Sequence, residues 1–135
     1  MADTFEIEIV TPEKLVLKDV AEEAQIPGKN GYLGILPGHA PLITELAVGE
    51  ITYRLGGQTK HVSVAWGFAE VLPNKVTILA ETAERPDEID VNRAERAKER
   101  AEQELKSGAP DLDYDAVQAA LERAETRIDV AKKQS

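Results

Sequence analysis

Along the first 85 residues, apolar side chains recur at every second position. Phe5, Ile7 and Ile9 alternate with Glu6 and Glu8, and the pattern returns at Ile51, Tyr53 and Leu55, at Val62, Val64 and Trp66, and at Val76, Ile78 and Ala80. A period of two puts each set on one side of a half-buried strand. Turn residues separate the runs: Pro27-Gly28-Lys29-Asn30-Gly31, Gly56-Gly57 and Pro73-Asn74-Lys75. Gly56-Gly57 between alternating runs predicts a two-residue hairpin, because primed turns need positive φ. Many short strands with frequent turns predict a sandwich or small barrel over residues 1–85, and an antiparallel β-sandwich is expected.

At Pro86 the period changes. Val91, Ala94, Ala97, Ala101 and Leu105 fall at helical spacing, as do Val117, Leu121, Ala124, Ile128 and Ala131. Asp87 is the expected cap of the first helix, with Asp90 three residues on, and Asp113 the cap of the second. Gly108 and Pro110 end the first helix, one by a left-handed exit and the other by blocking continuation. The short connection makes the helices antiparallel neighbours. The fold class is therefore α+β, with a sandwich followed by a two-helix hairpin over residues 86–135. The alanine-rich stripe lets helix backbones approach but buries little area: each leucine replaced by alanine forfeits on the order of 2 kcal/mol. Helices of ~15–20 residues are marginal alone, so this hairpin depends on the surface it rests against.

The chain has 135 residues, of which 42% are hydrophobic and 30% charged, as in a folded protein. Its net charge is −9, with acidic residues in excess on both sides of Pro86, which argues against nucleic-acid or anionic-membrane binding. Without cysteine there is no disulfide framework, thiol nucleophile or zinc–thiolate site. No apolar run approaches the ~20 residues of a membrane span, and the start Met1-Ala2-Asp3-Thr4 does not read as a signal peptide. A soluble, cytosolic protein without membrane insertion is expected.

Few segments suggest chemistry. Gly31 to Leu42 (GYLGILPGHAPL) reads as a stiff projecting loop carrying Tyr32, Leu36 and His39, either a docking surface or a packed corner. Asp111-Leu112-Asp113-Tyr114-Asp115 imitates an EF-hand opening, but Ala116 stands where that loop needs glycine, so no metal is expected. No nucleophile elbow or Walker loop is present, and no catalytic residue is assigned. The arginines are the candidates that remain. Arg93 and Arg100 lie two turns apart with Arg96 beside them, and Arg123 and Arg127 form a like-charge i, i+4 pair. In an antiparallel hairpin they can converge on one anion, with forks suited to phosphate oxygens. Alternatively each pairs with a glutamate such as Glu99, Glu122 or Glu125.

The loop Gly31 to Leu42, the segment Trp66-Gly67-Phe68-Ala69-Glu70-Val71 and the change at Pro86 together resemble the epsilon subunit of bacterial F-type ATP synthase, over essentially the whole chain. The resemblance implies a non-catalytic rotor subunit at the cytoplasmic face of the bacterial plasma membrane. Its sandwich would bind the gamma subunit and the c-ring. Its mobile hairpin would fold down or extend toward the alpha and beta subunits, where it obstructs ATP hydrolysis. Some members bind regulatory ATP through a motif matched here by Ile89-Asp90-Val91-Asn92-Arg93-Ala94, with Arg100, Arg123 and Arg127 at further basic positions and Glu84 preceding it. The resemblance thus assigns ATP to Glu84, Ile89, Asp90, Arg93, Ala94, Arg100, Arg123 and Arg127, and no required cofactor. Tyr32 stands where family members often carry an acidic residue. The rival reading is a stand-alone sandwich adaptor with a helical interaction arm.

Overall fold

In the computed structural model, which describes residues 3–133, the first half forms seven strands. They are β1 (Phe5–Val10), β2 (Leu15–Ala21), β3 (Glu23–Gly28), β4 (Gly31–Ile35), β5 (Leu42–Leu55), β6 (Gln58–Leu72) and β7 (Lys75–Glu84). Met1 and Ala2, which open the segment compared with a signal peptide, lie outside the described residues, as do the last two of the hairpin. The strands join in the order β2-β1-β7-β6-β5-β3-β4. The Tyr53 hydroxyl on β5 donates to Asp19 Oδ2 on β2 at 2.8 Å, across the three strands that intervene in that order. The sheet must therefore close over on itself, and one core of residues from all seven strands fills the space between its layers.

Three expectations are corrected. The sandwich is not antiparallel throughout: β1 pairs in parallel with β7, with Ile7 opposite Val76 and Ile9 opposite Ile78. Gly31–Ile35 is a strand, because its alternating backbone groups pair with β3 (Ile26 opposite Leu33), so the irregular loop shrinks to residues 36–41. Trp66 does not share the buried face of Val62 and Val64. It is half-buried with φ 55°, and beyond Gly67 (φ 118°) the buried positions become Ala69 and Val71. The buried parity of β5 and β7 changes alongside it, from Leu46 to Gly49 and from Ala80 to Ala83. A left-handed residue other than glycine costs on the order of 1 kcal/mol and persists only where its surroundings impose it.

Gly67 is the residue that lets this corner form. A Cβ there would lie 1.9 Å from the Leu79 carbonyl oxygen. Gly67→Ala is expected to destabilise the sandwich by roughly 2–4 kcal/mol. For a unit of this size the midpoint of thermal unfolding falls by on the order of 10 °C, which calorimetry measures directly.

The helices are α1 (Val91–Ser107) and α2 (Tyr114–Ala131). Pro86–Glu88 forms a 3-10 turn, so Asp87 does not cap α1; Asp90 does, its Oδ1 accepting from Arg93 N–H at 3.0 Å. Asp113 caps α2 as expected, accepting from Ala116 N–H, and Gly108 takes the left-handed exit at φ 64°. Val91 is exposed and lies off the apolar stripe, whereas Val130, one place before the predicted Ala131, is fully buried. The two helices pack on each other, and α2 is the one laid on β5 and β6.

Candidate functional site

The hairpin meets the sandwich along a seam with a few specific fastenings. Arg127 Nε donates to Glu84 Oε1 at 2.6 Å, joining α2 to the end of β7. Lys133 Nζ lies 2.6 Å from Glu50 Oε1, and the same carboxylate takes His61 Nδ1 at 2.6 Å on its other oxygen. Lys14, from the turn after β1, reaches Glu88 Oε2 at 2.6 Å and ties the 3-10 turn to the sandwich. Burial alone would raise the Glu88 carboxyl, but the bond from Lys14, the Arg85 N–H and the charges of both residues outweigh it and hold it below the usual range.

Between α1 and α2 lies a groove of about 350 Å³, lined by Arg100, Arg123 and Arg127 with Ala97, Ala101, Ala120 and Ala124 among its walls. Alanine keeps the walls thin and the arginines supply charge, so the volume falls at the lower end of small-molecule sites. One carboxylate, Glu104, also borders it. Among the described residues Arg127 pairs with Glu84, while Arg100 and Arg123 have no carboxylate within 4 Å; neither Glu99, Glu122 nor Glu125 is a partner. Pairing of an arginine with a glutamate therefore describes Arg127 on this face, through Glu84, and neither Arg100 nor Arg123.

The eight residues assigned from sequence separate into three groups. Arg100, Arg123 and Arg127 converge on the groove, with Glu84 on Arg127. Ile89 and Ala94 are buried and do not line the groove, and Asp90 is engaged as the cap of α1. Arg93 is exposed on the first turn of α1 and does not line the groove. Three participants escaped the sequence. Trp66, read as a core residue of β6, lies with its ring 4.9 Å below the Arg123 guanidinium. Glu50 and Lys133 are 83 residues apart, and only the fold brings them together. A tryptophan placed just before a glycine that interrupts the alternation was the one available signal.

Comparison with known proteins gives the family of the chain. Residues 4–86 match the family described as ATP synthase, Delta/Epsilon chain, beta-sandwich domain, and residues 87–132 match the long alpha-helix domain of the same chain. The chain belongs to the ATP synthase delta/epsilon family. It is 75% identical to the ATP synthase epsilon chain of Koribacter versatilis over 111 residues, which is 82% of this chain and 78% of the relative. Identity to the epsilon chain of Solibacter usitatus is 46% over 133 residues, covering 98% and 99%. A chain in the cryo-EM structure of the Euglena gracilis mitochondrial ATP synthase, comprising OSCP, F1 and c-ring, superimposes with a TM-score of 0.80 at 25% identity, over 98% of this chain and 84% of that one.

The sandwich of this delta/epsilon chain carries a second feature, away from the groove. Phe68, Leu79 and Val10 are register partners across β6, β7 and β1, and Leu15 continues the row on β2. Phe68, Leu79 and Leu15 are each about half exposed, and Ile43 more so. An apolar row of this length on a sheet face marks a contact surface. At the sheet end, Tyr32 and Leu36 are exposed. The Tyr32 hydroxyl accepts from Glu50 N–H at 3.0 Å, which orients its ring back over β5.

Proposed function

We propose that the chain is a non-catalytic rotor subunit of a proton-translocating F-type ATP synthase, coupling gamma to the c-ring, and that its hairpin restrains ATP hydrolysis when ATP is scarce. The observation that carries the regulatory part is the convergence of Arg100, Arg123 and Arg127 on one groove, two of them without a carboxylate partner. Such a cluster repels itself unless an anion sits in it, and planar forks suit a polyphosphate. Bound ATP bridges α1 through Arg100 and α2 through Arg123 and Arg127, and so favours the folded hairpin. Extension toward alpha and beta breaks the Arg127–Glu84 and Lys133–Glu50 pairs and uncovers Val130.

The row Phe68–Leu79–Val10–Leu15, exposed at all but Val10, and the loop at residues 36–41 supply the surfaces for gamma and the ring, in keeping with the epsilon-chain relatives and the F1/c-ring assembly of the Euglena structure. Among the described residues no helix is long and apolar enough to cross a membrane, so attachment at the cytoplasmic face of the bacterial membrane runs through the partners.

Titration of the isolated chain with ATP tests the regulatory half. A ligand at a hundred times its dissociation constant stabilises the bound state by about 2.7 kcal/mol, which appears as a rise in the thermal midpoint of the hairpin. An unchanged midpoint at millimolar ATP removes the nucleotide from the mechanism. Affinity capture from a bacterial membrane extract tests the other half: recovery of gamma and c supports the rotor role, and recovery of neither leaves the adaptor reading.

A further inference from the structure

We propose that Trp66 is the positioning residue that orders Arg123 for anion binding, and that it thereby makes the affinity of the groove depend on α2 being docked; the proposal rests on the nucleotide reading above. Three observations meet at this residue. Trp66 holds a left-handed backbone, φ 55°, at the corner where β6 exchanges its buried face. That conformation removes the indole from the alternation that buries Val62 and Val64 and leaves it half-buried. The ring then lies 4.9 Å from the Arg123 guanidinium carbon. A strained residue whose side chain meets a member of a charged cluster argues for a role beyond packing.

The chemistry of the contact suits that role. A carboxylate beneath Arg123 would neutralise it and occupy its fork. An indole attracts the cation through its face and offers no lone pair, so the N–H donors remain available to phosphate oxygens. It also limits the rotamers of a long side chain before the ligand arrives, which lowers the cost of ordering on binding. Because Trp66 is on β6 and Arg123 on α2, the contact exists only while α2 lies on the sandwich. The same holds for Glu84 on β7 and Arg127 on α2. A detached hairpin keeps Arg100, Arg123 and Arg127 but loses both supports. ATP then binds the docked form more tightly than the released one, and this differential affinity is what a ligand needs to shift the equilibrium.

Calorimetric ATP titration of the full chain tests the proposal. Trp66→Leu is expected to weaken binding roughly fivefold, Trp66→Phe to restore most of it, and Trp66→Leu to cost nothing further in an Arg123→Ala background. Trp66 is the chain's single tryptophan, so its emission gives a second readout that leaves the corner intact. Arg123→Ala without nucleotide should shift that emission, because it removes the cation above the ring. Wild-type affinity in Trp66→Leu, an undiminished loss in the Arg123→Ala background, or unchanged emission on Arg123→Ala overturns the proposal. Absence of ATP binding by the wild-type chain is the distinct result that overturns the nucleotide reading and takes this proposal with it.

Discussion

Val130→Asp is expected to free the helical hairpin while leaving the sandwich folded. Val130 is fully buried near the end of α2, the helix that rests on β5 and β6. The change forfeits roughly 1.5–3 kcal/mol of burial and asks an unpaired carboxylate to leave water, so docking weakens by about 4 kcal/mol or more. That corresponds to on the order of a thousandfold shift toward the released form. The sheet is spared because its core cluster, from Phe5 to Ala83, contains no residue of either helix. Hydrogen exchange measures both halves at once: amides of α1 and α2 should exchange within the fastest class, and those of β6 and β7 should remain protected. Equal protection of the helices in variant and wild type would mean that the hairpin is fixed, and the switching mechanism would fail.

Arg127→Ala is expected to lower ATP affinity at least tenfold, a loss of about 1.4 kcal/mol. Arg127 lines the groove and is the arginine there that pairs with a carboxylate of the sandwich, Glu84 at 2.6 Å. The variant removes a charged donor and also leaves Glu84, about one-third exposed, without its partner. Glu84→Gln separates the two effects, since it keeps the arginine and removes only the fastening. Calorimetry should therefore rank the affinities wild type, Glu84→Gln, Arg127→Ala in descending order. Wild-type affinity in Arg127→Ala would exclude the groove as the nucleotide site.

The division at Pro86 was legible because it is a change of period, and periodicity is the signal that local sequence carries best. Glycine chemistry was legible as well: Gly56 and Gly57 both adopt the positive φ expected of their hairpin turn. The corner was not. A strict alternation carried forward from Val62 and Val64 places Trp66 in the core, and the exchange of faces depends on a close approach of Gly67 to the backbone of β7, a tertiary contact. The cap of α1 was missed by one turn for a local reason. Asp87 and Asp90 are both capping residues, and Glu88 decides between them by accepting from Arg85 N–H and closing the 3-10 turn.

The site was half legible. Spacing grouped the arginines, but helical geometry alone could not tell that Arg100 reaches the groove while Arg93 stays outside it. What holds the cluster in place comes from the sandwich, through Trp66, Glu84 and Glu50. Those partners lie tens of residues away: Glu84 was marked by the family motif and Trp66 only by the glycine that follows it, while Glu50 carried no mark.

The parallel pairing of β1 with β7 has a consequence for how this protein comes into being. Its first strand is flanked by its last, so closure of the barrel-like shell must wait until β7 has been synthesised as far as Leu79, a long-range step that is intrinsically slow. The helices follow in the nascent chain, and they meet a platform already finished beneath them. A truncation before β7 would strand both β1 and β2, whereas a stop codon just after Glu84 would cost the molecule only its arm.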